Sequence, residues 1–155
     1  MATQGPMIWI DRALQKLGDG TIKLSSDTFH AVLLGSAQVI SATFIGGSGD
    51  ARYADLTAEF PTANGYTVGG VALSGTAFSR PAVNQAAWTT AAAQWTLSGT
   101  LAGVKYMAIV DWTAANKDIV MYCDFDTGGG TISPPPPMFA QNPDPTYGWG
   151  NWQQL

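Results

Sequence analysis

Between Val104 and Phe125 the apolar positions follow the pattern of a complete hairpin: Val104–Trp112, a turn at Thr113–Lys117, then Asp118–Phe125. In the second arm Ile119, Met121, Cys123 and Phe125 alternate with Val120, Tyr122 and Asp124, which predicts a strand with one buried face. In the first arm Tyr106, Ala108, Val110 and Trp112 alternate with Met107 and Ile109. Both of its faces are largely apolar, so it is expected at the centre of a packed β domain, covered on both sides.

The same reading extends to the rest of the chain. Met7, Ile10, Ala13, Leu14 and Leu17 follow helical spacing, with Pro6 suited to a first turn and Gly18 to a stop, which predicts a short amphipathic helix over 6–17. Ile22 and Leu24 share a face, Ser25-Ser26-Asp27 turns, and Thr28–Leu34 is a strand. Residues 35–50 are expected to be a loop with local structure around Val39–Ile45. Tyr53–Phe60 predicts a strand with Ala54, Leu56, Ala58 and Phe60 inward and Tyr53, Asp55, Thr57 and Glu59 toward water. Asn64-Gly65 turns into Tyr66–Val68, Gly69-Gly70 bends the path, and Val71–Leu73 continues it. Further strands are expected near Gly75–Ser79 and at Ala92–Leu97, joined by a linker or short turn over Pro81–Thr90.

Many short strands separated by Gly, Asn and Pro signals, without alternating long helices, predict an all-β antiparallel sandwich over residues 1–132, with the helix at one end or edge. Residues 133–155 differ in character. Pro134–Pro137 impose an extended strut of about 3 Å per residue. Met138, Phe139, Tyr147, Trp149 and Trp152 then punctuate a stretch with no strand or helix period, which predicts an extended C-terminal arm. Such an arm could fold back on its own domain, remain unstructured, or dock on a neighbouring subunit. Rigid aromatic side chains favour docking. Met7, Trp9, Phe139, Tyr147, Trp149 and Trp152 are therefore the candidate interface residues.

Charge narrows the partners. Charged residues make up 12% of the 155, about half the usual share, so the surface must be built from small polar and apolar residues suited to contact with other proteins. The net charge is −4 and the seven basic residues are scattered, which argues against a nucleic-acid partner. No apolar run approaches the roughly 20 residues of a membrane span, and the first residues lack the pattern of a secretory signal. Cys123 is the only cysteine, on the apolar face of its strand, and is expected to be a buried, inert thiol.

Candidate chemistry is sparse. His30, the only histidine, has no nucleophile, cysteine or second histidine placed beside it by spacing, and is expected to be a satisfied strand residue. Asp55 and Glu59 would share a strand face about 13 Å apart, beyond a glycosidase pair, and are expected to be surface charges. Asp124-Phe-Asp126-Thr-Gly128 has two carboxylates in calcium-loop spacing but too few further oxygens, so a structural turn is expected. No nucleophile elbow, zinc helix, paired-cysteine or phosphate-loop motif is present, so no catalysis, metal or cofactor is expected. Six tryptophans leave a carbohydrate-binding module as an alternative, although large aromatics more often serve as core or interface residues.

Taken in order, several pieces carry a family resemblance: Leu17-Gly-x-Gly-x-Ile22, Ser26-Asp27-Thr28 leading to Val32-Leu33-Leu34, and Tyr53-x-Asp55-Leu56-Thr57-x-Glu59. Gly65-Tyr66-Thr67-x-Gly69-Gly70-x-x-Leu73, the strand at Trp95 and Asp124-Phe125 complete the series. Over about residues 6–132 the chain resembles small virion structural proteins of tailed bacteriophages, of the head-decoration or cement type. The resemblance implies a β-sandwich made in the host cytoplasm that sits on the outside of the capsid and stabilises it. Its implied partners are the major capsid protein and neighbouring copies of itself, for example in a trimer. A tail, fibre or adaptor component is the alternative within the virion. Residues 35–50 look like an insertion in this pattern, and 133–155 extend past its usual end.

Overall fold

The computed structural model describes residues 2–80, 85–143 and 149–153. The fold is mostly strands in antiparallel sheets, with one short helix, as the alternation in the sequence predicts. In chain order the elements are β1 (Ile8–Trp9), α1 (Asp11–Gly18), β2 (Phe29–Gly35), a 3-10 turn (Tyr53–Asp55), β3 (Val71–Leu73) and β4 (Ala77–Ser79). They continue with β5 (Gln85–Thr89), β6 (Ala93–Thr96), β7 (Val104–Asp111), β8 (Ile119–Asp124), β9 (Met138–Gln141) and β10 (Gly150–Gln153).

A five-stranded sheet runs β1-β8-β7-β2-β3, and the predicted hairpin supplies its middle. β7 pairs with β2 from Phe29↔Asp111 to Gly35↔Val104 and with β8 from Tyr106↔Asp124 to Val110↔Ile119. Seven of its eight residues are buried, as expected of a strand covered on both sides. β8 departs from the expectation of one wet face, because five of its six residues are buried.

Residues paired across antiparallel strands share a face, so Trp9, Met121, Ile109, Ala31 and Val71 form one row across the sheet. The smaller sheets, β10-β5-β4 and β6-β9, pack on this side. Trp88 of β5 meets Phe29 edge-on at 4.8 Å and Trp9 at 6.3 Å, while Phe139 of β9 lies 5.5 Å from both Trp95 and Phe125. On the opposite side Trp112 stacks on His30 and meets Tyr53.

Several sequence expectations are corrected. The helix begins at Asp11 rather than residue 6, because Ile8 and Trp9 pair with Tyr122 and Met121 and the Ile10 N–H donates to Val120. Ile10 caps the helix with its side chain in the core, and Met7 precedes β1, partly buried against the same core. Residues 53–60 do not form a strand. Asp55 accepts from the Arg52 N–H and turns the chain, and Gln38 Oε1 accepts from Thr57 and Ala58, removing donors that a ladder would use. Only Glu59 bridges to Leu34. Tyr66–Val68 lies outside the strands, although Asn64-Gly65 does turn, both residues having positive φ. Within the expected linker, residues 85–89 form β5, and residues 81–84 lie outside those described.

The C-terminal segment runs along its own domain. Ile132 exchanges hydrogen bonds with Val104, Pro134 accepts from Leu101 and Pro137 from Leu97, after which β9 pairs with β6 from Thr96↔Met138 onward. β10 then pairs with β5, with Trp152 opposite Ala86 in register.

Gly70 is where the chain bends closest to the central sheet. It has φ +65°, and a Cβ there would lie 1.9 Å from the Ala31 carbonyl oxygen, itself held in β2. Gly70→Ala should therefore cost more than about 3 kcal/mol, combining backbone strain with displacement of a buried strand. Urea unfolding checks this, with Gly47→Ala, at a position with open space around it, as the neutral control.

Candidate docking surface

The polar clusters that could carry chemistry are held by partners within the fold, with Arg52 Nε and Asp111 Oδ2 left buried without a hydrogen-bond partner. The Glu59 carboxylate accepts from the Tyr53 hydroxyl, from the Tyr66 hydroxyl at 2.7 Å and from the Gly69 N–H at 2.7 Å. It is therefore a half-buried acceptor that ties three segments together, not the surface charge expected from its spacing. Burial, reinforced by Glu59, raises both tyrosine pKa values, so the phenols stay protonated as donors. His30 Nδ1 lies 2.8 Å from the Gly69 carbonyl and its ring stacks on Trp112 at 4.2 Å, as expected of a satisfied strand residue. The Lys117 ammonium sits 3.8 Å from the Trp112 ring centre. A stacked imidazole and an ammonium at these distances cannot share one face, so both faces of Trp112 are covered.

The Asp124 carboxylate and the Asp126 carbonyl of the Asp124–Gly130 turn close around a lysine. Lys105 Nζ, nearly buried, pairs with Asp124 Oδ1 at 2.8 Å and donates to the Asp126 carbonyl. Asp124 and Asp126 also accept from backbone N–H groups of Asp126 and Gly128. The segment is a turn, as the sequence predicts, and a lysine ammonium sits against it. Among the described residues no group of three or more His, Cys, Asp or Glu side chains is arranged to hold a metal ion. Asp50 gathers Arg12, Lys16 and Arg52 at 3.2–3.4 Å, and Lys16 also reaches Asp118 at 2.7 Å, which fastens α1 to the hairpin. Burial alone would raise the Asp50 pKa, but the Arg52 hydrogen bond and the Lys16 and Arg12 charges outweigh it and hold the carboxyl below its usual range. Cys123 is buried as expected, and burial pushes its thiol up to about 12.

The apolar side chains left at the surface are more distinctive. Val39 is 80% exposed and Ile45 57%, both in the long loop before the 3-10 turn, and Val68 and Met138 are more than half exposed. Separately, Leu14, Leu17, Gly18, Ile22, Leu24, Ser25, Phe78 and Ala86 line an open groove of about 500 Å³ between α1 and the β4 edge. None of the described residues that line it is charged. The Ile22–Leu24 turn forms its floor because Trp88, whose indole N–H donates to the Leu24 carbonyl at 3.0 Å, fixes that turn to β5.

Among the described residues, the candidate interface positions Met7, Trp9, Phe139 and Trp149 do not line this groove. Met7, Trp9 and Phe139 are partly buried against the core. Trp149 is 3% exposed, donating from Nε1 to Thr90 Oγ1 at 2.7 Å and from its backbone to Trp88, so its own chain covers it. Tyr147 lies outside the described residues, and only the backbone register of Trp152 is described. Burial of Trp88, Trp95 and Trp149 also removes them as platforms for a sugar ring. Sequence reasoning missed the groove because Leu14 and Leu17 fit a helix face, while Phe78 comes from a distant strand that only the fold brings beside them.

These features define a class: an all-β protein of antiparallel sheets with few charged residues and several large apolar side chains exposed. No helix among the described residues is long and apolar enough to cross a membrane. No protein-family model matches the chain, and neither does any curated protein or solved structure compared with it.

One buried carboxyl makes stability depend on pH. Asp111 is fully buried at the end of β7, with Oδ1 accepting from Thr113 and Ala114 and Oδ2 without a donor. Burial, with repulsion from Asp27, raises its pKa from 3.8 to about 6. A raised acid favours the folded state most below the unfolded value, and that contribution is lost as pH climbs through the folded value. Relative to Asp111→Asn, the wild type should therefore lose about 2 kcal/mol of stability between pH 4 and pH 7. Parallel urea melts of both proteins at the two pH values check the sign.

Proposed function

We propose that this chain is a non-enzymatic virion structural protein of a tailed bacteriophage that decorates the outer capsid surface and stabilises the shell. The observation that carries the reading is the set of exposed apolar side chains, Val39, Ile45, Val68 and Met138, on a chain with only 12% charged residues. Apolar area exposed to water is costly and is relieved by contact with another protein. The order of motifs shared with head-decoration proteins directs that contact toward the major capsid protein and neighbouring copies. In this reading the five-stranded sheet and the two smaller sheets act as layers of a sandwich, and residues 133–155 as an arm braced along one side. The long loop bearing Val39 and Ile45, which looks inserted relative to the resembled pattern, provides the capsid contact. Hundreds of equivalent sites on one shell make a modest individual contact sufficient.

Co-sedimentation with mature capsids that lack the protein tests this reading. Saturation at hundreds of copies per particle is expected, with Val39→Glu/Ile45→Glu lowering occupancy at least tenfold while leaving the far-UV spectrum unchanged. Saturation at a dozen copies or fewer would instead assign the protein to a vertex, tail, fibre or adaptor. Absence of binding would remove the capsid from the account.

A further inference from the structure

The chain entering β2 runs back along the end of β7. Phe29 pairs with Asp111, the Trp112 N–H donates to the Thr28 carbonyl at 2.7 Å, and the Thr28 N–H donates to Thr113 Oγ1 at 2.6 Å. Side chains two positions apart on an extended segment point the same way, and diagonal neighbours across an antiparallel pair stay within reach of one another. Asp27 therefore falls on the face that carries Asp111, and its carboxyl is within hydrogen-bonding reach of the Asp111 carboxyl.

The two acids are held differently. Asp111 is fully buried, and its Oδ1 is occupied by the Thr113 and Ala114 N–H groups while Oδ2 has no donor. Asp27 is half-buried, with Oδ2 accepting from the Lys23 N–H at 2.6 Å and Oδ1 from Ser26 Oγ at 3.4 Å. Two ionised carboxylates at this range repel, whereas an acid and a carboxylate make a strong hydrogen bond. Among the described residues the nearby cations are engaged elsewhere. Lys16 is committed to Asp118 at 2.7 Å and to Asp50 at 3.4 Å, and Asp118 meets Asp111 only through its carbonyl, which accepts the Asp111 N–H. The Lys117 ammonium and the His30 ring both lie against Trp112, on the other face of the sheet. Lys23 is exposed and meets Asp27 through its backbone. A proton is left as the means of satisfying Asp111 Oδ2.

We propose that in mildly acid solution Asp111 carries this proton and donates a hydrogen bond from Oδ2 to the Asp27 carboxylate, forming a latch that holds the Lys23–Asp27 turn against the end of β7 and opens as pH rises. Burial first and Asp27 second raise the Asp111 pKa to about 6, so the latch is closed below that pH and open above it. Loss of the proton leaves two like charges side by side, and the turn is the partner that moves, since Asp111 is fixed in the central strand. The turn includes Leu24, whose carbonyl accepts from the Trp88 indole at 3.0 Å, so its release loosens the contact with β5. The latch does not depend on the capsid reading.

Carboxyl-carbon NMR of the full chain, labelled at aspartate, tests the pairing. In the wild type the Asp111 carboxyl should titrate near pH 6 and the Asp27 carboxyl carbon should move in the same step. D27N keeps an acceptor for the Lys23 N–H but offers Asp111 an amide donor, and should lower the Asp111 midpoint by about one pH unit, a tenfold change in proton affinity. Hydrogen exchange reads the movement. Corrected for intrinsic rates, protection of the Lys23, Ser26 and Asp27 amides should fall about tenfold between about pH 5 and pH 8 in the wild type and stay constant in D111N, whose neutral amide keeps the latch closed. This second comparison decides the matter if D27N does not fold. An Asp111 midpoint that D27N leaves in place would show that burial alone sets it and would overturn the proposal. So would turn amides whose protection does not change with pH, or a pH dependence abolished by millimolar calcium, which would assign the pair to a cation.

Discussion

The fold depends on removing one strand, β7, from water on all sides. It has hydrogen-bonded neighbours along both edges and apolar cover on both faces, so its backbone groups are satisfied only if β2 and β8 are both in register. The charged residues near its two ends fix that register. At one end the Lys105 ammonium is closed off by Asp124 and the Asp126 carbonyl. At the other, Asp111 accepts the first N–H groups of the hairpin turn and so starts the chain back toward β8. A slip of one residue would exchange the two faces and carry both groups away from their partners. The polar groups that could suggest catalysis are thus pinned by the requirement that β7 be buried.

Glu59 extends the same logic outward. Its carboxylate joins Tyr53, Tyr66 and the Gly69 N–H, and the Tyr66 hydroxyl in turn accepts from the Leu33 N–H of β2. One acid therefore fastens the long 36–70 connection to the central sheet. The two tyrosines keep their protons because burial and the carboxylate both oppose their ionisation, so both remain donors to it.

The hairpin and β2 were legible in the sequence because their side chains alternate with period two over six to eight residues. The 53–60 segment alternates equally well and is not a strand. Its pattern is local, whereas the decision was made by Gln38 and Asp55, whose side chains take the backbone donors of Thr57, Ala58 and Arg52. Strand β5 failed in the opposite direction. Gln85-Ala-Ala-Trp-Thr89 has no alternation worth noting, and it is ordered by pairing on both sides with β4 and β10 and by the burial of Trp88. Trp149 illustrates the same limit for sites, since rigid aromatics suit an interface and an intramolecular anchor equally, and only the position of Thr90 distinguishes them.

Surface and edge are the remaining constraints. A chain with few charges has few means of protecting exposed strands, and β1 and β3 are kept short, at two and three residues. β1 leads directly into α1, whose Lys16 is held by Asp50 and Asp118, and β3 is followed by a turn in which Ser74 accepts from Ala91. β4 is equally short, and Phe78 within it lines the groove whose described residues carry no charge. Brevity limits how much backbone is left open, but it does not remove the half-exposed Phe78 and Leu14 beside it. The cost of keeping these rings and methyl groups in water falls when a second apolar surface covers them.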